Sequence, residues 1–190
     1  MTAHPRPIAD AAPDAAPTAD FAETMSALAS GVVLVTSRLG DRPWGTTVTA
    51  FASVSADPPT VLVSLETEGT SARAIAATGS FGVSILAAEH RALARYGSAP
   101  GATKFLESFA EAGDEAGASP AVAGALAHLD CEVVGAVPVA DHTVFFGRVS
   151  AARASGGGAP LLYHRRAYRT LAGLARAHPP SGRSLRCLTS

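Results

Sequence analysis

Cysteine is scarce in this chain: Cys131 and Cys187 are the only two in 190 residues. They are too few for a disulfide framework and are not spaced as a CxxC pair, which suits a reducing cytoplasm. A surplus of charge of one sign is missing too, since 15 Lys and Arg against 16 Asp and Glu leave a net charge of −1. That balance lacks the broad basic field that tracks a phosphate backbone, so nucleic acid is not an expected partner. No run approaches the roughly 20 apolar residues of a membrane span, and MTAHPRPIADAAPDAAPTAD has neither the basic start nor the apolar stretch of a signal peptide. GxSxG, HExxH, a P-loop and paired zinc-type cysteines are absent, and SGGGAP at 155–160 lacks the spacing of a dinucleotide-binding GxGxxG. HLDC at 128–131 is too little for a metal site, and His4, His90 and His178 are scattered, so no metal is expected.

What is present is a hydrophobic content of 47%, enough for one globular domain with a substantial core. Residues 1–19 are rich in Ala, Pro and Asp without an apolar period and read as a mobile arm. The domain is expected over 20–172, with a peripheral tail over 173–190. Asp20 followed by Glu23 gives a capping-box-like start to a helix near 21–29, carrying Phe21, Met25 and Leu28 at helical spacing. VVLVTSR at 32–38 has strand character, LGDRP supplies a turn, and a second strand completes a hairpin. The next stretch, WGTTVTAFASVSADPP at 44–59, is crowded with short hydroxyls: Thr46, Thr47, Thr49, Ser53 and Ser55. Strand geometry would put Thr47, Thr49 and Phe51 on one face, either as a ligand surface or as an ordinary Thr-rich sheet edge.

TVLVSLE at 60–66 and FGVSIL at 81–86 read as strands, and TSARAIAATG at 70–79 as a helix with Ser71 as its cap and Gly79 at its end. EHRALARYGS at 89–98 reads as another helix, before a Gly-rich, acidic connection. The β-rich stretches 125–139 and 142–154 flank Ala140, Asp141 and His142 as a long antiparallel hairpin. LLYHRRAYRTL at 161–171 is a closing strand or a helix. Many strands with few short helices favour a mainly β, antiparallel, closed or partly closed barrel over a doubly wound sheet.

The order of these motifs resembles the flavin reductase domain family from about Phe21 to Leu171. The resemblance rests on ASGV at 29–32, DRPWGTTVTAFASVSADPP at 41–59, TVLVSLE, FGVSIL, ADHTVFFGRV at 140–149 and PLLYHRRAYR at 160–169. It implies a Greek-key split β-barrel, a homodimer, and service to a separate flavin-dependent monooxygenase. By resemblance Thr47, Val48, Thr49, Ala50 and Ser53 lie beside the flavin, with Thr49 where relatives frequently have Asn. Ser64, Leu65 and Glu66, with the turn into Gly69, Thr70 and Ser71, match a second flavin-contacting region. There the start of the Ser71 helix would receive phosphate, the alternative being a simple helix cap. Gly69 stands where many relatives have Ser, and Ser84 where Asn is common. Lys104 and Phe105 match a pair near phosphate and ring, although alone they read as a surface charge and a core anchor. His142, at the nicotinamide side in relatives, is the candidate for catalytic support through nicotinamide orientation, against a plain turn histidine. His164, Arg165 and Tyr168 match the closing motif beside the cofactor groove or the subunit interface, and Arg165 is a nicotinamide-phosphate candidate.

Such a reductase needs no acid, base and nucleophile triad, because nicotinamide C4 delivers hydride directly to flavin N5. The protein's task is to hold the two rings with reacting atoms roughly 3–3.5 Å apart. The expected cofactors are FAD or FMN with NADH or NADPH, NADH being favoured because no basic site for a 2′-phosphate stands out. The alternative is a non-catalytic flavin-binding electron carrier on the same fold.

Overall fold

The computed structural model describes residues 18–109, 118–155 and 157–171. The expected tail over 173–190, nearly all of the expected arm, His4, His178, Cys187 and much of the acidic connection lie outside the described residues. Among those residues the chain runs α1 (Thr18–Ser26), β1 (Ser30–Gly31), β2 (Val33–Leu39), β3 (Arg42–Val48), β4 (Phe51–Ala56), β5 (Pro59–Glu66) and α2 (Thr70–Thr78). It continues through β6 (Ser80–Ile85), a 3-10 turn at Ala88–His90, α3 (Arg91–Ser98), β7 (Ala127–Val139), β8 (His142–Ala154), β9 (Leu161–His164) and β10 (Ala167–Thr170).

Seven strands pair antiparallel in the order β3-β2-β6-β7-β8-β5-β4. The two outermost strands, β3 and β4, are consecutive in the chain and separated only by Thr49 and Ala50. Two residues span at most about 11 Å between the flanking Cα atoms. The sheet therefore has to curl until its edges meet at that bend, which makes it a barrel joined at Thr49–Ala50 and split where β3 and β4 diverge. The amide of Ser64 on β5 donates to the Ala50 carbonyl at 3.0 Å, carrying the pairing into the bend.

The curl creates two apolar compartments. Val33, Val35, Val61, Val63, Leu65, Phe81, Val83, Cys131 and Phe145 fill the inside, where Ala72 and Ile75 of α2 join them. Leu34, Leu86, Leu93, Ala94, Leu106, Val122 and Leu161 form a second cluster under α3 and a three-stranded sheet, β1-β9-β10. Strand β2 feeds both, which is why VVLV is an unbroken apolar run rather than an alternating one. Each fully buried Val, Leu or Phe contributes about 1.5–3 kcal/mol, so the two clusters dominate the favourable side of folding.

Several expectations hold: the hairpin of β2 and β3, the long hairpin of β7 and β8, and the helix ending at Gly79, which adopts φ 69° and donates its amide to the Ile75 carbonyl. Others are corrected. The 44–59 stretch is two strands on opposite edges of the sheet, so Phe51 does not share a strand face with Thr47. The 161–171 segment is a hairpin, turning through Arg165 at φ 46° and Arg166 at φ 58°. Helix α1 begins at Thr18, which places Asp20 inside its first turn instead of at the cap. Phe21, Met25 and Leu28 are 68%, 46% and 57% exposed, so the apolar spacing of this segment does not feed the core of the chain.

Candidate functional site

A cavity of about 650 Å³ lies where β3, α3 and the β9–β10 hairpin converge, within the size range of small-molecule sites. Thr47, Val48 and Thr49 form one wall at the end of β3, where the chain leaves the sheet. Because the strand stops there, the backbone of Thr49 and Ala50 is spared from a β3–β4 ladder, and short side chains leave it open to close approach. Helix α3 supplies Arg91, Arg95 and Ser98. Their i, i+4, i+7 spacing puts them on one face, while Leu93, Ala94 and Gly97 are buried on another. A Cβ on Gly97 would collide with Thr47 Oγ1 and stand 2.9 Å from Leu34 Cδ1. Glycine is what lets α3 lie flat on β3 and bring its arginines over the Thr wall.

The hairpin supplies the remaining side: Tyr163, Arg166, Ala167, Tyr168 and Arg169. Tyr163 and Tyr168 are cross-strand partners whose rings meet edge to face at 5.3 Å. The Tyr168 hydroxyl reaches Ser98 Oγ at 3.5 Å, tying the hairpin to α3. Four arginines thus line one cavity, and among the described residues no Asp or Glu does; Glu23 lies 3.8 Å from Arg166 with both side chains largely exposed. Thr47 Oγ1 is buried without a hydrogen-bond partner.

A second polar cluster lies across β3. The Trp44 indole N–H donates to Ser71 Oγ at 3.0 Å, with both residues buried, and the Trp44 and Phe105 rings meet at 90° with centroids 5.2 Å apart. The Arg42 guanidinium sits 3.4 Å from the Phe105 centroid and pairs with Glu107 at 2.6 Å. That pairing, chiefly the hydrogen bond from Arg42, holds the Glu107 carboxyl below its usual range. Lys104 Nζ lies 3.5 Å from Thr46 Oγ1, and burial lowers its pKa against the opposing pull of Glu66. Glu66 is the register partner of His142 at the mouth of β5 and β8. His142 Nδ1 and Asp141 Oδ1 are 2.7 Å apart, and this hydrogen bond holds Asp141 below the usual carboxylate range. The Thr67 amide donates to the Asp141 carbonyl at 2.9 Å, fixing the turn that presents His142.

Of the residues singled out from sequence, Thr47, Val48, Thr49 and Tyr168 line the arginine cavity, with Ala50 at its adjoining bend. Glu66, Lys104, Phe105, Ser71 and His142 belong to the second cluster and the adjoining mouth. Gly69 is the N-cap of α2 and makes no side-chain cap; Ser71 lies inside the helix with its hydroxyl engaged by Trp44, so it is not the cap. Thr70 opens the helix at the same end. Leu65 is buried in the inner cluster, leaving its backbone alone for a ligand, while Ser64 is half-buried and Ser53 exposed on β4. Ser84 is displaced from the proposed pocket: it is fully buried, its hydroxyl 2.9 Å from His128 Nδ1 and accepting from the Val122 amide at 3.1 Å. That small side chain serves an internal network in which His128 Nε2 lies 3.1 Å from Ser119 Oγ and the Ser119 hydroxyl donates to Asp130. Burial pushes Asp130 upward, but the hydrogen bonds from Ser119, with His128 and Arg153, hold it net below its usual value. Arg165 occupies the turn, its amide donating to the Ser26 carbonyl at 2.7 Å, and does not line the cavity; Arg166 and Arg169 do. Arg91 and Arg95 were not singled out from sequence, although their spacing of four on an expected helix was a readable signal.

The exposed bend at Thr49–Ala50, the short side chains of the wall and the adjoining cationic residues suit a flat heteroaromatic ring with a phosphorylated tail. Comparison with known proteins agrees in kind. The flavin reductase like domain pattern matches residues 25–172. An NADH-dependent flavin reductase from Rhodococcus sp. is 35% identical over 164 residues, covering 83% of this chain and 88% of that protein. The reductase component of a Rhodococcus opacus 4-nitrophenol 4-monooxygenase/4-nitrocatechol 2-monooxygenase is 35% identical over 147 residues, 77% of each chain. Among solved structures, the bacterial BorF, flavin reductase component of a two-component tryptophan halogenase, superposes with a TM-score of 0.75 at 32% identity, covering 81% of this chain and 98% of that one.

Proposed function

This chain belongs to the flavin reductase like domain family, and from that membership and its cavity we propose that it is an NADH-dependent flavin reductase. The observation that carries the reading is the Thr47–Ala50 wall, where a strand ends, the backbone opens and a cavity adjoins it. FAD or FMN would lie against Thr47, Val48, Thr49 and Ala50, with its first phosphate toward the start of α2 at Gly69 and Thr70 and toward Lys104. Bound flavin supplies the hydride acceptor for nicotinamide. The protein's contribution is orientation: small side chains permit close approach, Asp141 fixes His142 at the mouth, and His142 orients the nicotinamide carboxamide.

Reduced flavin passes to a separate monooxygenase, a reading supported by the Rhodococcus opacus relative, the reductase component of a monooxygenase, and by BorF, the reductase component of a two-component halogenase. The domain runs over 20–172 and works as a homodimer, with Phe21, Met25 and Leu28 of the α1 segment covered by a second copy. A cytoplasmic setting suits Cys131, buried as a free thiol. No helix among the described residues is long and apolar enough to cross a membrane.

The test is steady-state consumption of NADH and of NADPH by purified protein with added FAD or FMN and no acceptor enzyme. The reading predicts NADH consumption that rises with free flavin and saturates. His142→Ala should raise KM for NADH while leaving flavin affinity unchanged. Firm flavin binding without turnover would instead indicate an electron carrier.

A further inference from the structure

We infer that Arg42 and Glu107 are positioning residues that latch the 104–107 segment in register on β3 and, through Phe105, aim Lys104 at the flavin phosphate. The inference rests on the flavin reductase reading, but neither residue lines the arginine cavity or the Thr47–Ala50 wall. Residues 104–107 lie outside every named strand. They reach the outer edge of β3 through the Gly45 amide, which donates to the Lys104 carbonyl at 3.1 Å, and the Leu106 amide, which donates to the Pro43 carbonyl at 2.9 Å. Pro43 has no amide to return, so the backbone pairing is thin and its register falls to side chains. Leu106 anchors the segment from below, in the second apolar cluster. It fits because residue 45 is glycine; a Cβ there would stand 2.6 Å from Leu106 Cδ1.

On the opposite face the antiparallel bridge sets Trp44 against Phe105, and by the same register Arg42 against Glu107. The Arg42 guanidinium, 3.4 Å from the Phe105 centroid and bonded to Glu107 at 2.6 Å, closes over the ring that meets Trp44. Arg42 and Glu107 are 57% and 47% exposed, so the pair adds little stability. What it governs is placement, because a slip of one residue would send Phe105 and Glu107 to the other face and carry Lys104 with them. In the observed register Lys104 Nζ lies 3.5 Å from Thr46 Oγ1, whose hydroxyl donates to the Gly97 carbonyl at 3.3 Å. Glu66 attracts the ammonium, and the Glu66 carbonyl accepts the Gly69 amide at 3.0 Å, so Lys104 stands near the turn into α2. Trp44 bonds to Ser71 of α2 and packs on Phe105, so one indole sets the spacing between the two halves of the phosphate site.

The experiment is titration by flavin fluorescence with FMN and with riboflavin, which has the same ring and no phosphate. It uses the full-length protein, Arg42→Ala, Glu107→Ala, Lys104→Ala and the double variant Arg42→Ala with Lys104→Ala. The Kd for FMN should rise at least about tenfold in Lys104→Ala, the loss of one hydrogen bond between charged groups, and roughly three- to tenfold in Arg42→Ala and in Glu107→Ala. Riboflavin affinity should hold throughout, which also reports an intact ring pocket. The Arg42 and Glu107 substitutions change net charge in opposite directions. A long-range field on the phosphate would therefore weaken FMN in Arg42→Ala and strengthen it in Glu107→Ala, whereas positioning weakens it in both. In the Lys104→Ala background Arg42→Ala should add less than about twofold. Arg42→Lys, which keeps a cation over Phe105, should return most of the loss. FMN affinity unchanged or raised in Glu107→Ala, or riboflavin weakened as much as FMN, overturns the inference. Because binding is read without nicotinamide, a protein whose FMN affinity depends on both residues yet oxidises no NADH refutes the reductase reading alone. One that turns flavin over with NADH and is indifferent to both substitutions refutes the positioning role alone.

Discussion

Removing the Ser71 hydroxyl should cost stability, because that oxygen is the acceptor for a buried indole. Trp44 is only 7% exposed, and its Nε1–H donates to Ser71 Oγ at 3.0 Å. In Ser71→Ala the indole N–H stays buried without that acceptor, at a cost of about 1–3 kcal/mol. Alanine is the better helix former, which returns about 0.5 kcal/mol at this position in α2. The net loss is about 0.5–2.5 kcal/mol, or a fall in Tm of roughly 1–10 °C for a domain of this size. The decisive form of the assay is a double-mutant cycle by urea unfolding of ligand-free protein. In a Trp44→Phe background there is no N–H to strand, so Ser71→Ala should become neutral or slightly stabilising. An equal cost in both backgrounds would refute the role given to this pair. So would an unchanged stability in Ser71→Ala together with a tenfold loss of flavin affinity, which would mean that the hydroxyl is aimed at the ligand.

Two other expectations concern the core and the surface. Burial, with Asp130 nearby, pushes the Cys131 thiol up to about 12 from 9.0, so the folded protein keeps a proton that the unfolded chain releases above pH 9. Stability is complete below pH 9 and falls as pH rises toward 12, by about 1.4 kcal/mol at pH 10 relative to pH 8. Cys131→Ala should lose that increment of the slope; identical slopes in urea midpoints against pH would contradict it. On the surface, Phe21→Glu combined with Met25→Glu should convert a dimer into a monomer in sedimentation velocity while circular dichroism stays native; a sedimentation coefficient unchanged from that of the parent would remove α1 from the interface.

Much of the fold was legible in the sequence because its signals are local. Gly40 and the Ala140–Asp141 turn punctuate β-branched runs that pair as neighbours, and Gly79 marks a helix end through a conformation that glycine adopts readily. The bend at Thr49–Ala50 was not legible, since neither residue is a breaker and the change of edge is imposed by closure of the whole sheet. The hairpin through Arg165 and Arg166 was hidden for the related reason that two arginines replace the Asn and Gly such a turn prefers. At the site, the Thr wall is legible in its short hydroxyls and in the family resemblance, whereas the placement of Arg91 and Arg95 depends on how α3 packs on β3, which the helical reading of 89–98 does not supply. Ser84 was misplaced because its position in the strand says nothing about His128, 44 residues away, which engages its hydroxyl.

The central claim is that this protein turns free flavin over with NADH instead of holding one flavin as a carrier. Anaerobic mixing of the protein with a many-fold molar excess of FAD or FMN and saturating NADH tests it most directly, followed through the loss of oxidised-flavin absorbance. The account predicts that the whole flavin pool is reduced at a rate proportional to protein concentration. Reduction that stops at one flavin per protomer, or that proceeds no faster than without protein, would contradict it.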